Sequence, residues 1–220
     1  MLTLYHTPLS VNSRRVWVAL LEKELPFETV EMQLSGDQMQ PDFLKLNPFH
    51  HIPVLTDDGF TVIESFAILD YLEAKYPTPS LLPKPAEAIA TVRMVEMVTL
   101  NELVPAFNPL VKKMMGFGQE DEAKINQALQ KAEVVLQFYA DKLGEGPFFG
   151  GEQLTLADVV AGTFAPFFEQ LGLPMTQYPS LQTWVTRLIE RPAWKTTQPS
   201  QAAVDAFRER MQMRMAAQEQ

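Results

Sequence analysis

Apolar positions in the first third of the chain alternate between strand spacing and helix spacing. Residues 2–5 alternate apolar and polar side chains, which predicts a first strand. The apolar positions of residues 16–20 predict a helix that begins within residues 10–13, where two serines are good N-terminal capping residues. Pro26 closes this helix, and residues 27–32 predict a second strand.

The segment that follows predicts a hairpin and another helix. Pro41 opens a short helical turn, and residues 54–56 and 60–63 have the composition of strands. Residues 57–59, Asp-Asp-Gly, are a strong hairpin signal between them. Ser65 is expected to cap the next helix. A strand–helix–strand unit gives a parallel pair and the hairpin adds an antiparallel edge, so we expect a mixed four-stranded sheet with helices on its faces.

A proline-rich stretch separates this α/β segment from a helical remainder. Residues 78–85 contain three prolines and predict a stiff linker. We therefore place an α/β domain at residues 1–77 and an all-α helical bundle domain at residues 86–220.

Two local signals mark the predicted helical domain. Residues 87–115 predict one long helix with kinks at Pro105 and Pro109. Thr155 and Asp158 have the spacing of a capping box and predict the start of a buried helix.

Charge and composition narrow the functional classes. The net charge is −9 and basic residues form no run, which argues against duplex nucleic acid and against an anionic membrane surface. There is no cysteine, so disulfides, protein-thiol redox chemistry and cysteine zinc sites are excluded, and three histidines make a metal site unexpected. The chain begins without a charged, apolar leader, and we expect a cytoplasmic location.

Ile52-Pro53 precedes a predicted strand at a point where a ligand could bind. A cis bond there would leave the backbone N–H and C=O of Ile52 facing outward, free to pair with an extended peptide. The alternative is an ordinary trans proline at a strand start, which base rates for any X-Pro bond favour.

Two further segments combine a helix start with polar side chains. At Glu64-Ser65, Ser65 and the helix N-terminus suit a ligand carboxylate and Glu64 suits an ammonium, although a structural cap beside a surface acid is the more common arrangement. Ser10 stands between the first strand and helix, where its hydroxyl and the helix N-terminus would stabilise a thiolate; the alternative is a plain N-cap serine.

These segments together resemble the cytosolic glutathione S-transferases, most closely the serine-type phi and theta-like classes. The resemblance covers nearly the whole chain and is specific only when its motifs are taken jointly. It rests on residues 8–16 (PLSVNSRRV), 47–55 (NPFHHIPVL), 63–72 (IESFAILDYL) and 154–158 (LTLAD).

The resemblance implies a thioredoxin-like first domain that binds glutathione as co-substrate, with Ser10 stabilising its thiolate. It implies a cis Ile52-Pro53 bond whose backbone pairs with the cysteinyl part, and Glu64 and Ser65 at the γ-glutamyl end. The second-substrate site would lie between the domains, and for its residues plain core packing is an equal alternative. Those residues are Leu9, Asn12, Phe107, Met114, Met115, Phe207 and Met211.

One corner of the site departs from the phi pattern, in which a His-Lys pair meets the glycyl carboxylate. Met39 stands at the lysine position, so the charge is missing, while Gln38 still offers a hydrogen bond. His51 and Lys45 are the candidates to replace the missing positive charge.

Phe49 matches an aromatic residue that anchors the partner subunit in several classes, which implies a homodimer. The alternative is that Phe49 covers the core of its own subunit.

The function expected from the resemblance is conjugation of glutathione to small, mostly apolar electrophiles, in detoxification or a stress response. A non-catalytic interaction or regulatory module on the same fold is one alternative, because fold does not fix function. A glutathione-dependent isomerase, dehalogenase or peroxidase is another.

Overall fold

The computed structural model describes residues 1–116 and 121–218, with side chains in the last helix as far as residue 213. These residues form two compact units. The first comprises Met1–Pro83 together with Arg191–Gln198, and the second comprises Lys84–Glu190 with the chain from Pro199 onward. The sequence placed the boundary within residues 78–85, but it did not indicate that a segment near residue 195 returns to the first unit.

The first unit is built on a four-stranded mixed sheet, as predicted. Its elements are β1 (Leu2–His6), α1 (Val11–Glu22), β2 (Phe27–Glu31), α2 (Pro41–Leu46), β3 (Val54–Asp57), β4 (Phe60–Ile63) and α3 (Ser65–Lys75). The strand order is β2-β1-β3-β4, with β1 parallel to β2 and antiparallel to β3, and β3 antiparallel to β4. Leu4 pairs with Leu55 at its centre, and both side chains are fully buried.

The hairpin between β3 and β4 forms where the Asp-Asp-Gly signal predicted it. Asp58 and Gly59 both have positive φ, of 48° and 88°. A two-residue turn with positive φ at both positions has the twist that antiparallel strands require. The hairpin therefore returns β4 along the direction of β1.

The second unit consists of helices, which confirms the predicted class. They are α4 (Ala86–Val98), α5 (Val104–Met115), α6 (Glu122–Leu143), α7 (Leu156–Gly162), α8 (Pro179–Ile189) and α10 (Gln201–Gln218); α9 (Pro192–Thr197) belongs to the first unit. No helix in the described part of the chain is both long and apolar enough to span a membrane.

The predicted long helix is interrupted immediately before Pro105. A π-helical turn at Thr99–Leu103 joins α4 to α5 immediately before Pro105, whereas Pro109 lies inside α5, which continues past it. Pro105 cannot donate a hydrogen bond to the preceding turn, and the wider π turn accommodates the missing donor. The predicted interruption is therefore confirmed immediately before Pro105, and a kink at Pro109, where α5 continues, stays a prediction.

Asp158 closes the start of α7 and ties it to two other parts of the second unit. One carboxylate oxygen accepts hydrogen bonds from the backbone N–H and the hydroxyl of Thr155, at 2.8 and 2.9 Å. The other accepts from the backbone N–H of Phe149 at 3.0 Å and from the indole N–H of Trp184 at 2.9 Å. Burial raises the pKa of Asp158, and these four donors oppose that rise. The capping box predicted from the sequence is thus also a tertiary anchor.

Replacing Asp158 with Asn should destabilise the protein by about 3 kcal/mol. The amide nitrogen can only donate, so it would face buried donors and leave them unsatisfied. Urea unfolding measures the difference, with Glu152→Gln as a control because Glu152 is exposed. An Asp158→Asn protein as stable as this control would contradict the anchoring role.

Candidate functional site

A cavity of about 370 Å³ opens at one edge of the sheet in the first unit. Its lining combines two imidazoles, two amides, a carboxylate and a hydroxyl with three apolar side chains. The lining residues are Asn12, Leu34, Asn47, His50, His51, Ile52, Pro53, Glu64 and Ser65. Five of the six residues predicted to bind glutathione are therefore together, and only Gln38 is absent from the lining.

The sheet topology explains why these residues meet. Strands β1 and β4 run in the same direction, since β3 is antiparallel to both. The ends of β1 and β4, and the start of β3, consequently lie at one edge. Helix α1 begins after β1, α3 begins after β4, and the loop at residues 47–53 leads into β3. Two helix N-termini and one loop thus converge there.

The loop before β3 is held by Asn47, which is 1% exposed. Its side-chain amide donates to the backbone oxygen of His51 at 2.8 Å, and its amide oxygen accepts from the N–H of Phe49 at 3.0 Å. The two bonds bridge most of the loop. They fix the backbone that carries both histidines into the cavity wall.

Ile52 presents its backbone to the cavity in the way a peptide ligand would require. The Ile52–Pro53 bond is cis. Ile52 lies outside the ladder, which begins at Val54, and its N–H and C=O have no hydrogen-bond partner within the described residues. A strand-like peptide could pair with these groups.

Backbone strain is concentrated in this cavity. Among the described residues five non-glycine residues have positive φ, and three of them, Leu34, His50 and Glu64, line the cavity with values of 54°, 50° and 68°. Such conformations cost on the order of 1 kcal/mol each and persist where the surrounding structure imposes them. They are typical of ligand sites.

Helix α3 starts at Ser65, and the expectation that Ser65 would cap it is wrong. Glu64 occupies the N-cap position, with φ 68° and ψ 120° and no capping hydrogen bond from its side chain. Ser65 is the first helical residue, 6% exposed, and its hydroxyl has no partner within the described part of the chain. A hydroxyl and unpaired backbone N–H groups are thus directed at the cavity, beside an exposed carboxylate.

Ser10 caps α1, as the sequence predicted. Its side-chain oxygen accepts a hydrogen bond from the backbone N–H of Ser13 at 3.3 Å, and the first turn contains no acidic residue. Ser10 is half-buried and is not in the cavity wall, although Asn12 in the same turn is.

The two candidates to replace the missing lysine charge differ in placement. Lys45 is exposed, pairs with Asp42 at 2.7 Å and does not line the cavity. His51 does line it, with His50 stacked edge-on at 5.4 Å between ring centres. Gln38 accepts from the backbone N–H of Gly36 at 3.3 Å, and Met39 is 51% exposed.

The residues predicted for a second-substrate site fall in both units. Phe107 is 4% exposed and packs edge-on against Phe164 and Phe168, at 5.5 and 5.9 Å, as core packing would require. Met115 is 7% exposed. The others are half-buried or exposed: Leu9, Asn12, Met114, Phe207 and Met211.

Phe49 is 58% exposed at the tip of the loop before β3. It does not cover the core of its own unit, which was the alternative to a role in subunit contact. The backbone N–H of Phe49 donates to the side chain of Asn47, so the backbone that carries the ring is tied to the wall of the cavity.

Three lining residues, Leu34, Asn47 and His50, were not predicted. Asn47-Pro48 was interpreted only as a helix stop, since an Asn-Pro pair carries no indication of which backbone groups its amide will reach. Leu34 and His50 enter the wall through positive φ, which the sequence does not signal at leucine or histidine.

Both units match models of one family. Residues 4–80 match the glutathione S-transferase N-terminal domain, and residues 86–192 match its C-terminal domain. Glutathione S-transferase F10 of Arabidopsis thaliana is 34% identical over 208 residues, covering 88% of this chain and 94% of that protein. The chain belongs to the glutathione S-transferase family.

Two further proteins similar to this chain carry different names. A glutathione transferase homologue from Sulfitobacter, solved with bound glutathione, is 25% identical with a TM-score of 0.74, covering 90% of this chain and 97% of that one. FtsZ-localized protein A of Caulobacter vibrioides is 30% identical over 204 residues, covering 88% of this chain and 89% of that protein.

Replacing Asn47 with Ala should increase amide exchange at Phe49 and His50, whose N–H groups have acceptors in this loop, about thirtyfold. Two hydrogen bonds are lost, each worth about 1 kcal/mol, so local opening becomes easier. Hydrogen–deuterium exchange with mass spectrometry measures this. Asn12→Ala is the matched control, because Asn12 lines the same cavity but is exposed. Equal protection of this loop in wild type and Asn47→Ala would exclude the clamp.

Proposed function

We propose that this protein is a glutathione transferase that adds the glutathione thiolate to small, mostly apolar electrophiles. The observation that carries the proposal is the unpaired backbone of Ile52 beside the start of α3, in one cavity. Glutathione is an extended peptide with a carboxylate and an ammonium at one end, and this cavity complements all three features.

The γ-glutamyl end binds at the start of α3. The hydroxyl of Ser65 and the first N–H groups of the helix take its carboxylate, because a helix N-terminus favours an anion. The carboxylate of Glu64 takes the ammonium. The cysteinyl part pairs with the N–H and C=O of Ile52, in the cis Ile52–Pro53 segment, as a short added strand.

The glycyl carboxylate binds at the corner where the lysine is missing. His51 is the side chain there that lines the cavity, and the amide nitrogen of Gln38 stays available because only its oxygen is bonded to Gly36. The first eighty residues contain 5 Lys and Arg against 11 Asp and Glu. Binding therefore depends on local donors rather than on the field of the whole unit, and ordinary affinity is expected.

The thiolate is stabilised by Ser10. Its oxygen accepts from Ser13, so its own proton is free to be donated to sulfur, and the N-terminus of α1 adds a favourable dipole. Once the thiol has lost its proton to solvent, the electron pair of the thiolate forms the new carbon–sulfur bond. In a substitution the bond to the leaving group breaks and a halide departs with its electron pair; in an addition the π electrons of the electrophile move to its neighbouring atom, which takes up a proton from solvent. Holding both reactants together supplies much of the remaining acceleration.

The proposal extends to the residues that contact the electrophile and to the association of two subunits. In the first unit the half-buried Leu9 and the exposed Asn12 are the candidate contacts for the second substrate. In the second unit the candidates are the half-buried Met114, Phe207 and Met211, whose side chains offer adaptable apolar surface, while Phe107 and Met115 lie in a core. The exposed ring of Phe49 suits insertion into a second copy, so a homodimer follows. Detoxification in the cytoplasm is the expected setting.

Replacing Ser10 with Ala should lower kcat/KM for conjugation of an aryl halide about a hundredfold, because one donor to the developing charge is lost. Glutathione affinity should change less than twofold, since the other contacts remain. Steady-state kinetics and calorimetric titration measure the two quantities. The control is Ser35→Ala, an exposed serine of the same unit. Unchanged turnover in Ser10→Ala would remove the role assigned to Ser10.

A non-catalytic interaction module is the second candidate, and the similarity to FtsZ-localized protein A favours it. Retention on a glutathione column with specific elution supports the enzyme, and no retention supports the module. A panel of aryl halide, isothiocyanate and organic hydroperoxide then separates conjugation from peroxidase chemistry, while isomerase and dehalogenase activities need their own substrates. Without cysteine, transfer through a protein thiol is excluded.

A further inference from the structure

Arg14 is a buried cation one helical turn after Ser10, and it has no carboxylate partner among the described residues. It is 2% exposed. Nε donates to the hydroxyl of Thr197 at 3.2 Å and Nη2 donates to the backbone oxygen of Trp194 at 3.3 Å, both in α9 of the same unit. Both acceptors are neutral, so the positive charge is not compensated where it lies.

Carboxylates on the elements packed against α1 are largely engaged elsewhere. Glu22 pairs with Arg191 at 2.5 Å, and Glu73 on α3 pairs with Lys23 at 2.6 Å. Asp70 on α3 is exposed.

The other basic residues on α1, α9 and β1 are Arg15, Lys195 and His6. Arg15 is fully buried beside it, with its guanidinium 5.0 Å from the ring centre of Phe66. Lys195 lies on α9 and is exposed, and His6 is buried on β1. Burial lowers the pKa of Arg14 to about 10, so it remains charged at neutral pH. Helix α1 thus carries a buried positive charge near its start, within an acidic unit.

The helix geometry places the base of the Arg14 side chain close to Ser10. The backbone N–H of Arg14 donates to the backbone oxygen of Ser10 at 2.8 Å. Residues four apart lie on the same helix face, with Cβ atoms about 5–6 Å apart, and side chains lean toward the N-terminus. In a buried environment a charge acts over a longer distance than in water.

We infer that Arg14 supplies a fixed positive charge that stabilises the thiolate of glutathione beside Ser10. The inference rests on the proposed function and adds to it a residue outside the cavity wall. It also explains how an acidic unit accommodates an anionic sulfur. The competing role is mechanical, because the same guanidinium attaches α9 to α1.

Three variants separate the charge from the mechanical role. Arg14→Met removes the charge and keeps the apolar stem, Arg14→Lys keeps the charge, and Thr197→Val removes one anchor of α9 without altering charge. The thiol pKa of bound glutathione is read from the ultraviolet absorbance of the thiolate across a pH series, and thermal unfolding is recorded in parallel.

In Arg14→Met the thiol pKa should rise by about one unit, which lowers the thiolate fraction about tenfold below that pKa. It should move by less than about 0.3 units in Arg14→Lys and Thr197→Val, although Thr197→Val lowers the unfolding temperature. An unshifted pKa in Arg14→Met, or a shift of a full unit in Thr197→Val, would overturn the inference and leave a mechanical clamp.

A variant that fails to fold, and a wild type that does not bind glutathione, give results that differ from failure of the inference. If Arg14→Met does not fold, Arg14→Gln replaces it, and the same rise of about one unit in the thiol pKa is expected; an unshifted thiol pKa in Arg14→Gln refutes the charge role. If wild type shows neither glutathione binding nor thiolate absorbance, the proposed function fails, and the inference fails with it.

Discussion

The candidate site depends on a constraint of the sheet: β1 and β4 point the same way, and β3 points against both. Any chain with this topology places the starts of two helices and the loop into β3 at one edge. Helix starts carry unpaired N–H groups, and a loop entering a central strand carries backbone groups that the ladder has not yet used. The fold therefore produces an edge rich in backbone donors before any functional side chain is chosen.

Side chains convert this edge into a specific site. Asn47 fixes the loop from within, and the positive φ values at His50 and Glu64 direct their side chains into the same cavity. The bonds of Asn47 and the packing of the loop hold these unfavourable conformations in place. Strain in the wall of the cavity is thus linked to the arrangement that a peptide ligand would need.

Electrostatics in the first unit illustrate the difference between net and local charge. An acidic unit is an unfavourable general environment for an anion, yet solvent and salt screen exposed charges beyond about 8 Å at physiological ionic strength. Buried groups are screened much less, and Arg14, near the start of α1, is buried against two neutral acceptors. Local donors and Arg14 can therefore dominate at Ser10, even though the unit as a whole carries the opposite sign.

The sequence by itself determined the sheet class, the helical second unit, the Ser10 cap and the capping box at Asp158. Each of these depends on spacing or turn chemistry within a few residues of chain. The clustering of Ile52, Glu64 and Ser65 also followed from the sequence, but only through the family resemblance.

Only the tertiary structure decided the rest. Glu64 displaced Ser65 from the N-cap, α9 returned to the first unit, Asn47 clamped a loop, and Arg14 was buried against neutral acceptors. These outcomes depend on backbone angles and on partners up to 183 positions away in the chain. Local pattern does not encode them, because a side chain's partner is chosen by packing rather than by its neighbours in sequence.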